Sequence, residues 1–125
     1  GIRSRALAEV RLGAESAKET ALRLAMTRAG LPEPILQHDL YDDSGKWVAR
    51  LDTYYPEYKV APEYDGRGHA EADQFRRDAD RWDAIRACGV EHVRILSHHL
   101  WPDPQLAVDK VAASLFRAGW RPGRN

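Results

Sequence analysis

The tetrad Asp42-Asp43-Ser44-Gly45 constrains this chain more than any other stretch. Four turn-forming residues between two β-prone runs leave the flanks little choice but to fold back on one another. Residues 35–41 and 47–55 are therefore predicted to form a hairpin. In its second strand the two-residue period sets Val48, Arg50 and Asp52 on one face and Trp47, Ala49 and Leu51 on the other. Asp52 thus falls near the strand's end, opposite the apolar face. Pro56-Glu57 turns the chain into a third strand, Lys59 to Tyr64, in which Pro62 removes a ladder donor and favours an edge or a bulge. Asp65-Gly66-Arg67-Gly68 then ends that strand in a loop.

Helical spacing brackets this β region. Ser16-Ala17-Lys18-Glu19 reads as a capping box, followed by the apolar stripe Leu22, Ala25, Met26 and Ala29, with Gly30 and Pro32 as the stop. A short helix around Leu7 and Val10 would precede it, interrupted at Gly13. From Asp73 to Cys88 there is no Gly or Pro, and Phe75, Ala79, Trp82 and Ile85 recur at helical intervals before Gly89. His92 to Leu96 is a strand. Asp103, as N-cap, and Pro104, at the first position, open a last helix lined by Leu106, Val108, Val111, Leu115 and Phe116 up to Gly119. The predicted order is α, β, β, β, α, β, α: one α/β domain over residues 1–125, with 1–14 as an N-terminal extension and 120–125 as a loose tail. The four tryptophans are assigned to the core or to helix docking, and His98-His99 to a loop.

Composition narrows the functional classes. With 43% hydrophobic and 30% charged residues and a mean hydropathy of −0.60, no stretch approaches a membrane span. The single cysteine, Cys88, allows neither an intramolecular disulfide nor a cysteine-based zinc site, which fits a reducing, cytoplasmic setting. The chain starts without Met or a signal-peptide pattern, as expected of the C-terminal part of a longer protein. Nineteen basic and nineteen acidic residues cancel overall but not locally. Residues 1–30 carry +3, residues 31–75 carry −6, and residues 76–125 carry +3. Two basic arms around an acidic centre fit carboxylates gathered on a cation beside a polyanion; scattered surface charge would give the same sums.

Within the acidic centre, Asp52, Glu63, Asp65 and His69 draw attention. Alternation sets Glu63 and Asp65 on one face of the third strand, and pairing beside the second strand would bring Asp52 near them. Two or three converging carboxylates suit a hard cation such as Mg²⁺, which also binds waters and phosphate oxygens. Spacing alone leaves open the plainer reading of solvated acids and an ordinary loop histidine. Glu19 is accounted for by the capping box alone.

The chain nevertheless resembles a known family. Ser16-Ala17-Lys18-Glu19-Thr20-Ala21-Leu22-Arg23, Ala29-Gly30-Leu31-Pro32-Glu33-Pro34, Ala49-Arg50-Leu51-Asp52, Tyr55-Pro56-Glu57, Glu63-Tyr64-Asp65-Gly66 with His69, Arg77-Asp78, Ala87-Cys88-Gly89 and Val93-Arg94 follow in order over roughly residues 15–118. They look like actinobacterial endonuclease-domain proteins, which are similar to very-short-patch-repair endonucleases of the PD-(D/E)XK restriction-endonuclease-like group. That resemblance implies an αβββαβ core with a mixed sheet flanked by helices, plus a further C-terminal helix.

It also implies site roles: Asp52 and Glu63 as metal ligands, Asp65 where relatives carry Lys, and His69 as the proton-transfer group. Glu19 would be an acid facing the metal from the first helix, and Asp78 with Arg77 a supporting pair. The function implied is a DNA endonuclease using Mg²⁺, or Mn²⁺ in its place. Arg23, Arg28, Arg76, Arg77 and Arg81 would contact phosphates, and an upstream DNA-binding domain would belong to the full-length protein.

Pro62, standing where a β-branched residue is usual, and the missing Lys are departures from the family pattern. Two alternatives stay open: an inactive nuclease-fold module binding DNA or protein in an antitoxin-like regulator, and a phosphoesterase acting on nucleotides or RNA. One geometric condition is decisive: the Asp52 and Glu63 carboxylates must share a face.

Overall fold

A computed structural model describes residues 16–66 and 72–123. Helix α1 covers 16–28. Strands β1 (Ile35–Tyr41), β2 (Trp47–Tyr54) and β3 (Val60–Tyr64) follow, then α2 (Ala72–Ala87), β4 (Glu91–Ile95), a single turn of helix α3 (Ser97–Leu100) and α4 (Gln105–Arg117). The protein is a mixed α/β structure in the order expected, with α3 added.

Local chemistry explains the boundaries. Asp42 Oδ1 accepts from the backbone N–H groups of Ser44 and Lys46, both at 2.9 Å, which closes the β1–β2 turn. Helices α1 and α4 each end in a Schellman motif. Leu31 N donates to Met26 O and Trp120 N to Leu115 O, around Gly30 and Gly119 with φ of 83° and 104°. Each motif drives the apolar residue after its glycine inward. Trp120 is only 3% exposed, and Arg121 Nη1 donates to the Phe116 and Trp120 carbonyls. Of the expected loose tail from residue 120, Trp120 is therefore packed and the exposed Arg121 is tied back by hydrogen bonds. Residues 1–14, also expected to form an extension, lie outside the described residues.

Other boundaries shift by a residue. Ser16 is itself helical rather than the cap before α1. Pro104 takes the N-cap position of α4, and Asp103 Oδ1 accepts from Gln105 N at 3.0 Å, so the aspartate caps from one residue further out. His98 and His99 belong to α3, where His99 Nδ1 accepts from Leu96 N at 2.8 Å.

The strands form two pairs. β1 and β2 are antiparallel; β3 and β4 are parallel, with α2 as the crossover between them. The pairs are stitched at Tyr55 and Val60, whose backbones exchange both hydrogen bonds. Continuing that stitch would set Thr53 opposite Pro62, and proline has no N–H to give. The Thr53 hydroxyl donates to the Pro62 carbonyl instead. The sequence anticipated the missing donor, and here it divides the sheet.

Two apolar clusters cover the sheet's faces. Leu22 and Met26 of α1, Val111 and Leu115 of α4, and Val60, Val93 and Ile95 form one. Ile85 of α2 with Leu40, Ala49, Leu51, Ala61 and Val90 forms the other. Hydrophobicity did not guarantee burial. Trp47 is 53% exposed, at the open start of β2 with its indole N–H on Asp39, and Trp101 is 70% exposed, its ring against the Lys18 ammonium. Among the described residues no helix is long and apolar enough to cross a membrane.

Candidate functional site

Past Pro62 no backbone ladder joins β2 to β3 among the described residues, and the next cross-strand position would set Asp52 opposite Glu63. Both line an open cleft of ≈ 460 Å³, with Glu19 entering from α1 and Gln74, Arg77, Asp78 and Arg81 from α2. The α2 residues stand at i, i+3, i+4 and i+7, a polar stripe on one helical face. They are linked: Arg77 Nη2 donates to Gln74 Oε1 at 3.0 Å and Gln74 Nε2 donates to Asp78 Oδ1 at 2.8 Å. Asp78 is buried, at 4% exposed.

Glu63 is nearly buried, and Arg81 Nη2 donates to both its oxygens, at 3.1 and 3.2 Å, and to the Arg50 carbonyl at 3.0 Å. His92 Nε2 lies 3.4 Å from Glu63 Oε1. Burial pushes the Glu63 carboxyl up, but the His92 imidazole beside it and the Arg81 guanidinium outweigh it and hold the group below the usual carboxylate range. Asp52 is displaced the other way: half-burial and the Glu63 charge raise it, against a smaller opposing pull from Arg81 and His92. Two neighbouring carboxylates pushed apart in this manner form the pattern of an acid–base or ligand pair. Asp52 and Glu63 line one cleft, and the Arg81 charge acts on both.

The backbone is irregular across from Asp52. Leu51 and Tyr54 belong to the same apolar cluster although three residues apart, so the alternation of β2 slips between them. Across the pair, Leu36 matches Thr53 and His38 matches Leu51, which places Gln37 opposite Asp52. Gln37 has φ of 53°, the left-handed region a side chain rarely adopts, and lines a ≈ 140 Å³ pocket with Glu19, Arg23 and Asp52. Gln37→Gly is expected to stabilise the protein by about 1 kcal/mol in urea denaturation, and Gln37→Val to destabilise it by at least as much.

The other expected site residues separate. Asp65 is not among the residues lining the cleft: its Oδ2 accepts from Arg94 Nε at 2.9 Å, and that guanidinium lies 4.7 Å over the Trp82 ring. Parallel pairing explains this, because β4 sets Arg94 opposite Glu63, one step from Asp65. Among the described residues no group of three or more His, Cys, Asp and Glu side chains is gathered as a metal site, so the expected Asp52–Glu63–Asp65 triad is not assembled. His69 lies outside the described residues. Of the arginines, Arg77 and Arg81 line the cleft and Arg23 the adjoining pocket. Arg28 lines a separate groove beside Trp101, and Arg76 pairs with Asp73 on the exposed side of α2.

Sequence reasoning missed His92, Arg94 and Gln74. Gln74 was signalled by the polar i, i+3, i+4, i+7 stripe; the other two depend on strand register.

The chain is similar to two proteins of Mycobacterium tuberculosis, uncharacterized protein Rv2248 of strain H37Rv and uncharacterized protein MT2308 of strain CDC 1551. Each is 34% identical over 106 residues, covering 84% of this chain and 39% of the relative. The chain thus spans about two fifths of the length of the curated relatives it matches. No family model matches it, and no solved structure matches it.

Proposed function

We propose that this chain is the catalytic domain of a divalent-metal-dependent DNA endonuclease with a restriction-endonuclease-like core, forming part of a longer cytoplasmic protein. The observation that carries this reading is the pairing of Asp52 and Glu63 from adjacent strands in one cleft, with their ionisation driven in opposite directions. The donor set fits a hard cation: two carboxylates, one with no hydrogen bond or ion pair among the described residues, leaving the remaining positions to water and phosphate oxygens. Asp52 and Glu63 would hold Mg²⁺ or Mn²⁺, which supplies an activated water and neutralises charge developing on the phosphate.

The chain's own residues do the rest. Arg77 at the cleft and Arg23 beside it bind phosphate oxygens without reading sequence. Asp78 orients Gln74, and through it Arg77. His69, which the family resemblance singles out, would serve as the proton-transfer group.

One observation favours a second reading. Asp65 is tied to Arg94 and Glu63 to Arg81, which suits a nuclease-fold module that binds nucleic acid without cutting it. Supercoiled plasmid and short duplexes incubated with Mg²⁺, Mn²⁺ or EDTA separate the two. Metal-dependent cutting that vanishes in Asp52→Ala supports the enzyme, whereas retention of DNA without cutting under every condition supports the module.

A further inference from the structure

We propose that Arg81 is the resident counter-ion of this site: its guanidinium stands in the cation position beside Glu63 and Asp52, a divalent metal ion displaces it, and the freed side chain turns to phosphate. The inference rests on the metal-site reading above and assigns how that site is kept closed.

Arginine normally grips a carboxylate with two nitrogens in parallel, which gives both strength and fixed geometry. Arg81 does otherwise. One nitrogen, Nη2, straddles both Glu63 oxygens and also reaches the Arg50 carbonyl, three acceptors for two hydrogens. Among the described residues its Nη1 and Nε make no hydrogen bond. The guanidinium therefore acts on Glu63 as a point charge, the role a metal ion would play, and gives up little geometry on leaving.

Charge makes the exchange favourable. The cleft sets two carboxylates, Asp52 and Glu63, against the single guanidinium of Arg81. Asp52 makes no hydrogen bond or ion pair among the described residues and is strained by its neighbour's charge. Asp52 and Glu63 would hold a divalent ion whose charge offsets the remaining excess, leaving the cleft able to accept a phosphate. Arg81 is one helical turn beyond Arg77 on α2 and about a third exposed, so its side chain can swing to the mouth beside Arg77 without moving the helix.

Mn²⁺ binding to the purified chain, followed by calorimetry and by the loss of the free-ion electron paramagnetic resonance signal, tests this without reference to cutting. Arg81→Gln is expected to bind Mn²⁺ about tenfold more tightly than the wild type, because it removes the competing charge and leaves the carboxylates in place. Adding Asp52→Asn to that variant should abolish binding. Equal or weaker binding by Arg81→Gln overturns the proposal, as does absence of Mn²⁺ binding in both proteins.

The wild type offers a check that requires no stable variant. Titration with Mg²⁺ should shift the Arg81 Nε–H resonance in nitrogen-15 spectra with the same midpoint as the Asp52 and Glu63 amides. An Arg81 signal that stays put while those amides move overturns it too. Tight Mn²⁺ binding on this pattern without plasmid cleavage would refute the nuclease and leave the exchange standing.

Discussion

Asp52→Asn is expected to abolish metal-dependent DNA cleavage, by about a thousandfold or more, while raising the melting temperature by about 2–4 °C at pH 7. The two effects share one cause. Asp52 is half-buried beside Glu63, and both influences favour its protonated form, so its folded-state pKa lies above the ordinary value of 3.8. A carboxyl raised in this way contributes fully to stability below 3.8 and loses that contribution as pH rises through its folded value. At neutral pH the wild type carries the cost of an ionised Asp52, and the amide does not. The gain in melting temperature should therefore shrink as pH falls towards 4. Calorimetric scans of both proteins at several pH values check this. A variant less stable than the wild type at neutral pH would show that Asp52 is held by contacts rather than strained.

Glu63→Gln should do the reverse. Glu63 is nearly buried, and His92 and Arg81 hold its pKa below the ordinary value of 4.5 despite burial. Its contribution is present above 4.5 and is lost as pH falls through the depressed folded value. The amide cannot answer the Arg81 charge, so stability at pH 7 should drop by about 1–2 kcal/mol, with cleavage also lost. In strong acid the wild type loses the same charge, and the two urea transitions should converge. Opposite signs for Asp52→Asn and Glu63→Gln at pH 7, converging on the acid side, are the signature of one strained and one satisfied carboxylate in a shared cleft.

Much of the architecture was legible because its signals are local. Leu22, Ala25 and Met26 at spacings of three and one gave α1 its buried stripe, and Gly30 and Gly119 sit where the helix ends require a left-handed residue. The turn around Asp42 fixed the hairpin. Asp52 and Glu63 were legible as a pair because each lies near the end of a strand and the strands are consecutive.

What the sequence hid depends on register or on the whole molecule. The partner of Asp65 comes from β4, beyond an entire helix, and no short-range pattern announces that Arg94 stands opposite Glu63. The left-handed backbone of Gln37, across from Asp52, has no signal in the residue pattern. Helix α3 has four residues, too few to display a period. Trp47 and Trp101 are large and apolar, but nothing near them in sequence says whether another element covers them.

Pro62 places the backbone pairing beside the cleft under a different kind of control from the cleft's charge. The Arg81–Glu63 and Arg94–Asp65 contacts respond to salt, acid and competing ions, since their strength is electrostatic. The missing ladder bond at Pro62 does not, because a covalent ring removes the donor that would make it, and no change of solution supplies one. Ionic conditions can therefore change what pairs with the cleft's carboxylates without restoring the missing ladder bond beside them.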